Sequence, residues 1–255
     1  MFKTFRIAVL TLILFVVAVG NYLSRVRSTD WNNPLYIKVY PINADGSDVA
    51  DQHIARLRLE HFSEVEDFLS RETKRYGKTL DRPVRLLLGE PVAEQPPNPA
   101  EATNIFGVML WSLEMRWWSG KIGRSQDDGA PDVRMFVRYH APGRTLPLDN
   151  SVGLQKGMVG IVNGYAGRRY RPYNNLVIAH EFLHTLGASD KYNPADGQPL
   201  EPHGIAEPDR KPLYPQRYAE IMGGRIAVAG NIAEVPASLN YALIGPATAL
   251  EIGLR

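Results

Sequence analysis

The sequence predicts a mixed α/β (α+β) fold, and three observations predict it. Short runs rich in β-branched and aromatic residues recur at 32–40, 84–88 and 133–139, each bounded by turn residues. Between them, apolar residues recur at helical spacing over 51–76 and 100–119. The resulting order is strand, helix, strand, helix, strands, helix, which places helices against a sheet and not in a bundle of their own.

Each element has its own warrant. Residues 32–40 (NNPLYIKVY) alternate and read as a strand. Ile54, Leu57, His61, Val65, Phe68 and Tyr76 share one helical face, giving one long amphipathic helix over 51–76 that Gly77 can end. Residues 84–88 (VRLLL) form a short buried strand. Four prolines in 91–99 make a loop, a candidate boundary, before a second helix over 100–119. In that helix Trp117 and Trp118 are adjacent and cannot both face one core. Ordinary packing is the expected role of these residues. Strands follow at 133–139, 151–155 and 158–163, then a helix over 173–186. Residues 187–219 are proline-rich with little pattern, and a last helix is expected over 246–252.

Composition bounds what such a fold does. The chain has 255 residues, 44% of them hydrophobic and 22% charged, so it can build a real core and is not a disordered polyampholyte. A net charge of +2, with scattered arginines, argues against nucleic acid as a partner. There is no cysteine, so a metal site would have to use His, Asp or Glu. At the N-terminus, Lys3 and Arg6 precede the apolar run 7–20 (IAVLTLILFVVAVG). This reads either as a secretory signal cleaved after Gly20 or as a short membrane anchor extending to Leu23. Both readings export the remainder, to the periplasm or the cell exterior.

The chemistry-bearing segment is His180-Glu181-Phe182-Leu183-His184. Residues four apart share a helix face, so His180 and His184 can grip one ion. Glu181 borders that ion without having to ligate it and can act as general base toward a zinc-bound water. A chance match to H-E-x-x-H in a chain of this composition is on the order of 1%. The apolar stretch 176–179 leads a buried helix up to the motif, and Gly187 stands where a C-cap is expected. Two histidines leave zinc needing a third protein ligand. The chain can turn at Gly187, and Asp190 arrives six residues beyond His184.

The segment 180–190 (HEFLHTLGASD) resembles the metzincin signature H-E-x-x-H-x-x-G-x-x-H, with Asp in the last position as in snapalysin-like peptidases. The resemblance spans roughly 158–225. It implies a zincin-like twisted mixed sheet with an active-site helix and a loop-rich C-terminal part. It also implies Zn2+ held by His180, His184 and Asp190, with Glu181 as the catalytic base. Met222, beside Gly223 and Gly224, is the candidate for the methionine turn beneath the metal. Gly224 stands where many relatives carry a tyrosine that assists the transition state. Asp190 also begins a good turn sequence, so Glu220 and His203 remain alternative third ligands. His203, Tyr192, Tyr214 and Tyr218 are candidates to line the cleft. His53, His61 and His140 are expected to be structural or exposed.

The reading is therefore residues 1–24 as signal peptide or anchor and 25–255 as one zincin-like catalytic domain. The expected function is an exported zinc metallopeptidase acting on peptide or protein substrates, with a possible membrane tether and no nucleic-acid partner. The strand near 158–163 is expected to bind extended substrate by edge pairing. A zinc hydrolase of a non-peptide amide of the cell envelope, and an inactive zincin scaffold that only binds, are the alternatives.

Overall fold

The computed structural model describes residues 6–7, 11–12, 15, 27–98, 104–126, 129–143, 150–155 and 157–255. The apolar N-terminal run lies for the most part outside the described residues. Among those described, no helix is long and apolar enough to cross a membrane.

The chain is mixed α/β. A central sheet has the order β2-β1-β3-β5-β4, formed by β1 (Leu35–Asn43), β2 (Val84–Leu88), β3 (Val133–His140), β4 (Val152–Leu154) and β5 (Val159–Tyr165). β2, β1, β3 and β5 run parallel, and β4 returns antiparallel to β5. Parallel strands need crossovers: α1 (Asp48–Ala55) and α2 (Ser63–Arg75) join β1 to β2, α3 (Ile105–Ser125) joins β2 to β3, and β3 reaches β5 by way of β4, while α4 (Arg171–Leu186) follows β5 and packs on the sheet.

The two-residue period of the strands sorts side chains onto two cores. Ile37, Val39, Val133, Val137 and Val162 face α1, α2 and α4, where Phe68, Leu69, Ile178 and Phe182 pack against them. Tyr40, Ile42, Phe136, Val159 and Ile161 face the opposite way, against Trp111, Met115, Trp118 and Ile122 of α3. Each such fully buried side chain contributes roughly 1.5–3 kcal/mol. The tryptophan pair divides as steric reasoning requires, with Trp118 at 2% exposure and Trp117 at 65%.

Two expectations are corrected. The single helix over 51–76 is broken into α1, a 3₁₀ turn at Leu59–Phe62, and α2. The backbone N–H of Arg58 donates to His61 Nδ1 at 3.3 Å, so His61 caps the new start. On either side of the break, Ile54 and Phe62 both reach the core. Secondly, the strand predicted at 158–163 is not an edge. β5 is paired on both sides, by β3 and by β4, and the edge is β4.

Beyond α4 the chain has little regular structure. It forms a parallel pair, β6 (Ala219–Glu220) with β9 (Ala242–Leu243), a hairpin of β7 (Ile226–Ala229) and β8 (Ile232–Glu234), and the closing helix α5 (Pro246–Glu251).

Candidate metal centre

α4 carries the motif because its sequence is a helix with one deeply apolar face. Ile178, Ala179, Phe182 and Leu183 are buried in the core, which turns His180 and His184 toward an open cleft of about 870 Å³. The helix ends at Gly187, whose φ of 108° is the left-handed conformation that favours glycine. That reversal brings residues 188–191 back across the end of α4.

The ring tautomers follow from the partners. His180 Nδ1 lies 2.9 Å from the Ile221 carbonyl oxygen, and His184 Nδ1 lies 2.8 Å from that of Ala188. A carbonyl only accepts, so each Nδ1 carries the ring proton and each neutral ring aims a lone pair from Nε2 into the cleft. The two Nε2 atoms are 3.1 Å apart, and each is 3.1 Å from Asp190 Oδ1. Three electron-pair donors thus converge with nothing among them to donate. Such a triangle is repulsive unless a positive charge sits at it. Tetrahedral zinc with ligands at roughly 2.0–2.1 Å spaces its donor atoms about 3.3 Å apart, so His180, His184 and Asp190 fit the ion.

The titration behaviour agrees in direction. Burial opposes protonation of His180, but Asp190, which a protonated ring would hydrogen-bond, and the nearby Glu181 charge outweigh it and raise its pKa. Burial would raise Asp190, yet the two imidazoles hold its carboxyl well below the usual range.

Glu181 sits beside the triangle and outside it. Its ligand-capable atoms lie within 4.8 Å of those of both histidines. It is buried at 5% exposure, and its Oε2 has no hydrogen-bond partner. The Gly153 N–H donates to the carboxylate, while burial, the largest influence, raises its pKa. A cleft-lining carboxylate with one buried, unpartnered oxygen is poised to accept a proton.

The alternative third ligands are placed elsewhere. Glu220 is fully buried, and its oxygens accept from Met222 N at 2.7 Å, Gly223 N at 2.8 Å, Gly245 N at 2.9 Å and Thr248 Oγ1 at 2.7 Å. It shapes the turn and is not free to ligate. His203 is exposed and does not line the cleft. The turn after Asp190 is stabilised by Asn193 and Asp196, which accept from the backbone of Ala195 and Gln198, so Asp190 is not needed for that role. Of the four candidate cleft residues, Tyr192 lines it, whereas Tyr214, Tyr218 and His203 do not.

Met222 is fully buried in the core beneath α4, and its carbonyl accepts from Lys191 N at 2.9 Å. The turn at 220–224 therefore supports His180 through Ile221 and the Asp190 loop through Met222. His53 accepts from Gly167 N at 3.2 Å, and His140 is buried beside Asn163, both structural placements.

Several contributors escaped sequence reasoning. Gly153 of β4 lies so close to α4 that a Cβ there would collide with the Glu181 carbonyl and come within 2.6 Å of His184 Cβ. Its signal was a glycine inside a strand pattern. Lys191 is buried and clamps Glu251 at 2.7 Å, and Glu251 also accepts from Ser189 N and Oγ at 3.0 and 2.7 Å. These contacts fasten the Asp190 loop to α5, across sixty-odd residues, with no local signal. Arg225 is the single Lys or Arg among the described residues lining the cleft.

No family model and no curated protein matches the chain. Among solved structures, it is similar to one described as a chaperone–substrate complex, with 14% identity, a TM-score of 0.42, and coverage of 87% of this chain and 33% of that one. It is also similar to a catalytically inactive OgpA from Akkermansia muciniphila in complex with an O-glycopeptide substrate, with 14% identity, a TM-score of 0.35, and coverage of 85% and 58%. The chain thus spans a third and somewhat over half the length of these structures, and likeness at this level assigns no family.

Proposed function

We propose that the protein is a zinc-dependent hydrolase of the zincin type, acting on peptide bonds. One observation carries the reading: three lone-pair donors, His180 Nε2, His184 Nε2 and Asp190 Oδ1, meet at 3.1 Å beside a buried carboxylate with a bare oxygen. When bound, zinc supplies Lewis acidity toward a water and the scissile carbonyl. His180, His184 and Asp190 hold the ion. Glu181 accepts the proton of the attacking water and returns it to the leaving amine, a role that its burial-raised pKa suits. A peptide substrate is favoured because β4 lines the cleft and, among the described residues, pairs with a strand on one side alone, leaving backbone groups for an extended chain. Export, by a cleaved signal or a retained anchor, belongs to the same reading and rests on the basic-then-apolar N-terminus.

The test is zinc content of the purified full chain together with cleavage of a broad peptide library. The expected result is one zinc per chain and hydrolysis abolished by chelation. Bound zinc with no cleavage of any peptide or amide would move the protein to the binding-scaffold reading. Cleavage of envelope-derived amides alone would move it to the non-peptide reading.

A further inference from the structure

We propose that the outward face of α3 docks on the surface of a lipid bilayer. α3 is apolar on two opposite faces. Trp111, Met115, Trp118 and Ile122 face the sheet. The outer face reads Phe106, Leu110, Leu113 and Trp117, spaced four, three and four residues apart, so they form one stripe. They are 82%, 68%, 58% and 65% exposed, and Met109 alongside is 58% exposed. Leaving such side chains in water is unfavourable, and a soluble surface does not ordinarily leave so many contiguous.

Two features point to a bilayer as the occupant. The first is charge. Continuing the same stripe by four and then three residues leads to Lys121, which pairs with the exposed Glu94 at 2.7 Å, and to Arg124. The stripe thus changes from apolar to basic along its length, with Trp117 at the junction, the pattern of an interfacial helix on anionic lipid. The second is tether length. The apolar run ends at Leu23, and the chain is held to the fold at Arg27, whose guanidinium pairs with Asp132 at 3.3 Å. Four residue steps span at most about 14 Å. Arg27 and Asp132 stand at the N-terminal start of β3, so the domain hangs from the tether at that end of the sheet. A chain whose run 7–23 sits in a bilayer has its domain held within that reach of the lipid, and the exposed apolar stripe of α3 is the face suited to meet it. α4 packs on the other side of the sheet from α3, so docking here leaves the sheet between the bilayer and the histidine helix. The inference is independent of what the cleft hydrolyses.

The chain has no cysteine, so a single introduced thiol labels uniquely. Full-length Leu113→Cys, carrying an environment-sensitive fluorophore, is reconstituted into phosphatidylcholine vesicles with and without phosphatidylglycerol. Asp67→Cys on α2, on the opposite side of the sheet, serves as control. The expected result is quenching of the Leu113→Cys label by lipid-borne doxyl groups, enhanced by phosphatidylglycerol, with the Asp67→Cys label quenched by aqueous iodide alone. Equal access of iodide to both labels overturns the proposal. Protection of the Leu113→Cys label from both quenchers also overturns it, because the face is then covered by protein, a second copy or the N-terminal segment. In a Leu110→Glu/Trp117→Glu background the doxyl quenching should be lost while the chain stays with the vesicles.

Discussion

His180 Nδ1 donates to the carbonyl oxygen of Ile221 at 2.9 Å, the residue immediately before the buried Met222. The hydrogen bond joins the motif helix to a turn 41 residues away. It fixes the tautomer that turns the Nε2 lone pair into the cleft, so the aim of that lone pair is set by the turn as much as by the helix.

If the triangle is a metal site, removing an imidazole removes one of three protein ligands. His180→Ala and His184→Ala should each lower zinc affinity by more than about 100-fold, the upper range for loss of a supporting group alone. Competitive titration with a chromophoric chelator measures this. Full zinc occupancy in the double variant would falsify the site.

Asp190 should behave as a ligand and not as a turn former. Asp190→Ala should lose zinc, and Asp190→His should keep it by replacing one donor with another. Because Asn193 and Asp196 stabilise the following turn, circular dichroism should change little in Asp190→Ala. Unchanged zinc content in both Asp190→Ala and Asp190→Asn would remove Asp190 from the site.

Glu181→Gln preserves shape but cannot take a proton. It should retain zinc and the melting temperature of the wild type while losing about 10²–10⁴ in rate. Cleavage at the wild-type rate by the zinc-loaded variant would rule out Glu181 as the base.

Lys191, Ser189 and Glu251 hold the Asp190 loop without touching the ligand triangle. Glu251→Ala should weaken zinc binding by about 10–100-fold, as outer-shell losses do, with His180 and His184 unaltered. Isothermal titration on the apo-protein reads it, and an unchanged affinity would mean the loop is held by other contacts.

Protons compete with zinc for the imidazoles. His180 has a raised pKa, with Asp190 and Glu181 outweighing burial. A raised value means the ring is protonated at a higher pH than usual, so zinc affinity should begin to fall above the ordinary histidine range as pH drops. Zinc titrations across pH with wild type and Glu181→Gln test the sign, since removing the Glu181 charge should move the onset to lower pH.

The sequence by itself determined whatever is local in its physics. Residues 180–184 name their chemistry because a helix puts positions four apart on one face. Gly187 marked the helix end because a left-handed residue is needed there, and the strand at 84–88 was legible as a short run with apolar residues at four of its five positions. Tertiary structure decided the rest. The break between α1 and α2 has no Gly or Pro to announce it, and Ile54 and Phe62 on either side of it both reach the core. The edge position of β4 depends on strand order, which periodicity does not encode. Spacing after Gly187 favoured Asp190 and left Glu220 as the alternative. Only the folded chain shows Glu220 spending its oxygens on four donors in the turn and Asp190 aiming Oδ1 at both imidazoles. The clamp from Glu251 to Ser189 and Lys191 joins residues about sixty positions apart. Such a contact has no local signature, because its reason is the closure of the chain on itself.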